Sequence, residues 1–102
     1  MRGIISRDQA TRIAAVAFED VRRRSAVADL MLTRVTECSV GWLFAYDSAK
    51  HVRSGEFEDM VPEAAPLLVD RFHGAVHETG TIHPIEHYVA EYEAYFADQL
   101  AA

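Results

Sequence analysis

Histidine is the residue type in this chain best suited to acid–base or metal chemistry, and it occurs five times in 102 residues. The positions are His51, His73, His77, His83 and His87. His83 and His87 have the i, i+4 spacing of helical ligands, but His83 precedes Pro84 at a predicted helix boundary, where ligand geometry is poor. No supporting cluster and no HExxH, CxxC, P-loop or Gly-rich dinucleotide signature accompanies the histidines. We therefore expect no catalytic residues, no metal site and no cofactor.

Cys38 is the only cysteine, and a thiolate paired with a histidine is a possible nucleophile in principle. It lies in a predicted hairpin turn without a recognisable signature of a cysteine enzyme. A single cysteine excludes an internal disulfide and agrees with a reducing compartment. No apolar run approaches the roughly 18 residues of a membrane span, and the N-terminus does not resemble a signal peptide. The sequence thus predicts a cytoplasmic protein that is not an enzyme.

The run GWLFAYDS, residues 41 to 48, could serve as core or as a binding face. In a strand Trp42, Phe44 and Tyr46 share one side, while Leu43 and Ala45 share the other. Because both sides are apolar, core packing is favoured for most of the rings. Trp42 and Tyr46 carry polar tips that would also suit a position partly facing a partner.

The elements around this run follow from periodicity and capping. A capping box of Ser6 and Gln9 predicts an amphipathic helix over about residues 7 to 24. LMLTRVTE, residues 30 to 37, predicts a strand that forms a hairpin with GWLFAYDS. PLLVD and AVHET, residues 66 to 70 and 75 to 79, predict a second hairpin that turns at Gly74. Pro84 predicts the start of a last amphipathic helix.

The segment SAKHVRSGEFEDMVPEAA, residues 48 to 65, breaks these patterns and holds four carboxylates. We predict mainly a long loop, with at most a helical turn, and long loops in compact domains are often functional. The resulting fold is a single α+β domain over residues 1 to 102, of α-β-β-β-β-α order. Its antiparallel four-stranded sheet is packed by two helices.

The charge is uneven along the chain. Residues 1 to 53 carry nine basic and six acidic side chains, whereas residues 54 to 102 carry one basic and ten acidic ones. Such an acidic half repels nucleic acid and favours basic partners, although a solvated surface that aids solubility is the more common explanation. We expect no nucleic acid and no membrane as partners.

Four segments in this order resemble a known family: GWLFAYDS, APLLVD, GAVHETGT and PIEHYVAEYE. Together they are similar to the YrhB-type family, also called the immunity protein 35 family, over about residues 4 to 95. Two loops depart from the family pattern. Glu63, Ala64 and Ala65 stand where Gly-Asn is usual, and residues 71 to 74 replace a Lys/Glu-Thr-Gly turn.

The resemblance implies a bacterial protein encoded beside a polymorphic toxin, which protects the producing cell by binding that toxin. The alternative that it implies is a small heat-stable chaperone or a pathway accessory protein. For the immunity role the expected partner is a protein, specifically a basic toxin domain, and no oligomeric state is favoured. The candidate partner-binding residues are Tyr46, Glu56, Phe57, Glu58, Asp59 and Glu78.

Overall fold

The computed structural model describes residues 5 to 101. Its elements are α1 (Arg7–Arg24), β1 (Leu30–Cys38), β2 (Gly41–Ser48), α2 (Ala49–Ser54), a 3-10 turn (Phe57–Asp59), β3 (Leu67–Asp70), β4 (Val76–Glu78), α3 (Ile85–Tyr95) and α4 (Ala97–Ala101). The four strands form one antiparallel sheet in the order β1-β2-β3-β4. The predicted α+β fold and the α-β-β-β-β-α order of its main elements are confirmed.

Helix α1 begins where the capping box predicts. The Ser6 hydroxyl accepts a hydrogen bond from the Gln9 amide at 3.1 Å, and the Gln9 side chain accepts one from the Ser6 amide at 2.8 Å. Two amides that the helix itself cannot pair are thereby satisfied. The face turned to the sheet buries Ala10, Ala14, Phe18 and Val21.

The first hairpin turns tightly through Ser39 and Val40, and Cys38 pairs with Gly41. Gly41 also lies directly against β3. A Cβ atom at this position would overlap the carbonyl oxygen of Val69. Glycine is therefore required for β2 and β3 to approach each other here.

The sheet separates two apolar cores. On the side of α1, Trp42 and Phe44 are 4% and 3% exposed and pack with Leu67 and Val69. On the other side a second core joins the sheet to the end of α3, through Val40, Leu43, Leu68, Phe72 and Phe96. Both sides of β2 are thus covered, and the predicted core position of Phe44 is confirmed.

The prediction of mainly a long loop over residues 48 to 65, with a helical turn allowed, is wrong for residues 49 to 54 and 57 to 59, which form α2 and the 3-10 turn. Ser48 caps α2 by accepting a hydrogen bond from the His51 amide at 3.0 Å. Gly55 ends α2 in the left-handed region, at φ +68°. These two cap residues bound a helix that is too short for apolar periodicity to reveal.

The last helical segment is divided at Phe96, whose φ of -99° and ψ of 20° lie outside the regular helix. Helix α3 therefore ends at Tyr95 and α4 starts at Ala97. The break lies at the residue that reaches into the second core, since Phe96, between α3 and α4, is 2% exposed.

Candidate functional site

A cleft of about 310 Å³ opens between the end of α1, the sheet and the segment that leads to β3. We call it the Tyr46 cleft. It is lined by Val21, Arg24, Ser25, Ala26, Leu30, Tyr46, Val61, Glu63, Ala64 and Glu78. Its floor is apolar, because Val21, Leu30 and Val61 belong to the core beneath α1. Two carboxylates and one guanidinium line the same cleft.

Tyr46 is half-buried and links the core to this cleft. Its ring packs on Phe18 with the centroids 5.3 Å apart and the planes inclined by 57°. Burial and then the negative charge of Glu78 raise the pKa of the Tyr46 phenol, Arg24 opposes the rise, and Glu63 adds to it. Both carboxylates line the same cleft as this phenol, and their charges disfavour its ionised form.

Arg24 already holds one of these carboxylates. Its guanidinium donates to Glu78 at 3.1 Å and to Asp20 at 3.0 Å. The Arg24 and Glu78 side chains are 54% and 62% exposed. An ion pair this open to water contributes little to folding.

A second cleft of about 290 Å³, here the Glu58 cleft, lies beside the first. Its lining is Val27, Asp29, Ser48, Lys50, Glu58, Asp59, Met60, Val61, Pro62 and Glu63. Val61 and Glu63 line both clefts. The two depressions are therefore neighbours on one surface, separated by a shared wall.

Asp59 forms hydrogen bonds that stabilise the segment next to this wall. Its carboxylate accepts a hydrogen bond from the Ser54 hydroxyl at 2.6 Å and lies 3.4 Å from the Lys50 ammonium. The Ser54 hydrogen bond, helped by the charge of Lys50, lowers the pKa of Asp59. The Asp59 carbonyl also accepts a hydrogen bond from the buried Ser48 hydroxyl at 2.9 Å. The side chain is 12% exposed, and both groups that bind its carboxylate belong to α2.

The remaining candidates are turned towards solvent. Phe57 is 79% exposed, an unusual position for an aromatic ring, and its neighbours Glu56 and Glu58 are exposed as well. The structure thus places Tyr46 with Glu78 in one cleft and Glu58 with Asp59 in the next. Glu56 and Phe57 directly precede Glu58 in the chain and line neither cleft.

Arg24 and Glu63 also line the Tyr46 cleft, yet the sequence did not single them out. Arg24 belongs to the arginine triplet at the end of α1, where a favourable interaction with the helix dipole is a sufficient explanation. Glu63 lies in the acidic segment, whose helical turns were not predicted. The reversal of the chain between α2 and β3 brings it beside Tyr46.

A separate polar cluster lies in the second core. Asp70 is fully buried, and its carboxylate accepts hydrogen bonds from the amides of Phe72 at 3.1 Å and His73 at 2.6 Å. Its other oxygen is 2.8 Å from His77 Nε2. The His77 ring packs against Tyr92, with centroids 4.8 Å apart. The cluster holds the β3–β4 turn under α3. The sequence signal for this cluster is a strand that ends in aspartate shortly before a glycine in a turn.

No group of three or more histidine, cysteine, aspartate or glutamate side chains between residues 5 and 101 is arranged to hold a metal ion. The rings of His83 and His87 stack with their centroids 4.1 Å apart. The expectation that the protein holds no tightly bound zinc remains a prediction. Among the described helices, none combines the length and apolar character needed to cross a membrane.

Comparison with known proteins completes the description. The family model for immunity protein 35 matches residues 8–94. A protein described as uncharacterized protein YrhB, from Escherichia coli (strain K12), is 31% identical over 55 residues, which cover 54% of this chain and 58% of that relative. The aligned part thus spans less than two thirds of the relative, and no solved structure matches. Because the family model covers most of the chain, this protein belongs to the immunity protein 35 family.

Proposed function

We propose that this protein is a non-catalytic immunity protein that neutralises a toxin by binding it in the cytoplasm of the producing cell. Family membership supports the role. The observation that carries the proposal is the pair of adjoining clefts, which share Val61 and Glu63 and open on an acidic surface. Such a surface offers both pockets and charge to a partner, and recognition of a partner needs no catalytic set.

Phe57 is the proposed apolar anchor of the interface. Energetically important interface residues are often aromatic side chains that become fully buried when the partner binds. An exposed ring flanked by Glu56 and Glu58 suits a partner pocket with a basic rim. The proposed partner is therefore a basic toxin domain, in line with the ten acidic residues and one basic residue of positions 54 to 102.

Binding kinetics test this proposal against the toxin domain encoded beside the gene. The variant Glu56→Gln/Glu58→Gln should associate more slowly, and its association rate should depend less on salt, because charge attraction steers encounter. The matched control is Glu91→Gln/Asp98→Asn, which removes the same charge from exposed positions on α3 and α4. Phe57→Ala should mainly raise the dissociation rate. Absence of any binding to this toxin would overturn the immunity role.

A second candidate function, binding of unfolded clients, is favoured by one further observation. A shallow groove of about 460 Å³ is lined by Arg12, Ile13, Val16, Ala17 and Val76. Val16 is 75% exposed, so apolar surface is accessible to water here. Suppression of light scattering from an unrelated heat-stressed client, lost in Val16→Asp and kept in Ala15→Asp, would support this function. Absence of protection by the parent protein would contradict it.

A further inference from the structure

The Tyr46 cleft combines two features that are complementary to one kind of side chain. Its floor consists of core residues, with Val21, Leu30 and Val61 at most 9% exposed. Glu63 and Glu78 supply negative charge beside the Tyr46 phenol. An aliphatic stem that ends in a cationic head satisfies both features, and among side chains lysine and arginine have this form.

Glu63 is available to such a head. Among residues 5 to 101 its carboxylate forms neither a salt bridge nor a side-chain hydrogen bond, and the residue is exposed at the wall between the two clefts. A single carboxylate would make a weak cation site. With Glu78 in the same cleft, an incoming cation meets two negative charges.

Arg24 shows that the second carboxylate accepts a guanidinium. It donates to Glu78 at 3.1 Å from within the chain, in an ion pair that is more than half exposed. Arg24 also donates to Asp20 at 3.0 Å, so it keeps one carboxylate partner when it leaves Glu78. Breaking the Arg24–Glu78 ion pair therefore costs little free energy.

We propose that the Tyr46 cleft receives an arginine or lysine side chain of the protein partner, whose cationic head binds Glu63 and Glu78 and displaces Arg24 from Glu78. This inference rests on the proposed binding function and specifies its contact. Arg24 then acts as an internal competitor that occupies Glu78 in the unbound protein. Because Arg24 and the partner's cation compete for Glu78, substitutions of Arg24 and of Glu78 should change partner affinity in opposite directions.

The test compares these two sides. Glu78→Gln and Glu63→Gln should each weaken toxin binding about tenfold, because each removes a charge-assisted contact. Arg24→Gln should instead tighten binding, by up to about fivefold, since an exposed pair is worth at most about a factor of five. Arg23→Gln is the control, because it makes the same charge change one position away and its guanidinium lies 3.6 Å from Asp20. In a Glu78→Gln background the effect of Arg24→Gln should disappear.

A small probe tests the cleft without the toxin. Nα-acetyl-arginine amide, titrated at millimolar concentration, should shift the methyl resonances of Leu30 and Val61 in a saturable way. The neutral analogue Nα-acetyl-citrulline amide should not. The shifts should be lost in Glu63→Gln/Glu78→Gln and should saturate at a lower concentration in Arg24→Gln. Melting temperatures close to the parent value would establish that each variant is folded.

The outcomes separate this inference from the proposed function. Toxin binding that is unchanged in Glu63→Gln, Glu78→Gln and Arg24→Gln would overturn the inference and leave the immunity role standing. A saturable arginine response together with no toxin binding would support the cation site and overturn the immunity role. If Arg24→Gln and Arg23→Gln changed toxin affinity equally, the effect of Arg24 would come from its charge alone. That result would overturn the proposed displacement of Arg24 from Glu78.

Discussion

At the scale of single residues, two aspartates illustrate how one side chain type serves different ends. Asp59 has a lowered pKa because Ser54 and Lys50 stabilise its charged form. Asp70 is fully buried and organises a turn. Asp70 lies in the second core, whereas Asp59 lines the Glu58 cleft and stays a candidate partner-binding residue, although its carboxylate is already bound by Ser54 and Lys50. Because Lys50 lies 3.4 Å from the Asp59 carboxylate, the pair adds little to long-range attraction of a basic partner.

Asp59→Asn should lower the free energy of unfolding at pH 7. Because the pKa of Asp59 is lowered in the folded state, the charged carboxylate stabilises the fold fully above the ordinary pKa of an unfolded aspartate. This contribution is lost as pH falls through the lower, folded-state pKa, so the difference between parent and variant should shrink below about pH 4. Urea unfolding from pH 3 to 7 measures it, with exposed Glu58→Gln as the control. A difference independent of pH would contradict the assignment.

Asp70→Ala should be far more damaging than its exposed counterpart Asp98→Ala. Removal of the carboxylate leaves two backbone amides without their acceptor and separates His77 from its partner. Losses of this kind amount to about 3 kcal/mol of unfolding free energy. Thermal or urea denaturation is the measurement. A loss below about 1 kcal/mol would mean that water replaces these bonds.

At the scale of elements, α3 and α4 are held to the sheet by few side chains. Phe96 enters the second core, with Ile85, Val89 and Tyr92 packed around it. The Ser39 hydroxyl, in the first hairpin turn, donates a hydrogen bond to the Glu93 carboxylate on α3. The attachment of this layer thus depends strongly on one ring at the junction of the two helices.

Phe96→Ala should lower the free energy of unfolding by about 3 to 5 kcal/mol, the usual cost of a buried phenylalanine. Tyr95→Ala is the matched control, because the adjacent ring is 75% exposed. Chemical denaturation followed by far-ultraviolet circular dichroism compares the two. Similar losses for both variants would show that Phe96 is not the main attachment of α3.

The long elements could be predicted from the sequence, and the short ones could not. The capping box and apolar spacing located α1 because 18 residues give periodicity many repeats. Helix α2 has six residues and is marked locally by its caps at Ser48 and Gly55, whereas the three-residue 3-10 turn has no side-chain cap. Tyr46 and Glu78 were selected by residue type, but their meeting with Arg24 and Glu63 depends on tertiary contacts that no local pattern encodes.

At the scale of the whole molecule, the sheet contributes side chains to both of two unequal cores. Strands β2 and β3 contribute alternate side chains to each side, so loss of packing on one side loosens the strands that support the other. Small domains of this kind usually unfold in a single transition.

Phe44→Ala should therefore lower the stability of the entire fold by about 3 to 5 kcal/mol. Trp42 fluorescence reports the core beneath α1, and circular dichroism reports all helices, including α3. The two signals should change at the same denaturant concentration in the variant. Separate midpoints would show that the two cores unfold independently.

The shared wall of Val61 and Glu63 has an evolutionary consequence. The segment between Ser48 and Leu67 leaves the sheet at one strand end and returns at the next, and Asp47 fastens it by accepting a hydrogen bond from the Val61 amide at 2.9 Å. Insertions, deletions or recombination within this segment would reshape both clefts together while every strand register stayed unchanged. Because Val61 in this segment is itself part of the core beneath α1, with Ala64 packed against that core, a new version of the segment has to keep an apolar side chain at position 61, whereas its exposed positions are free to change.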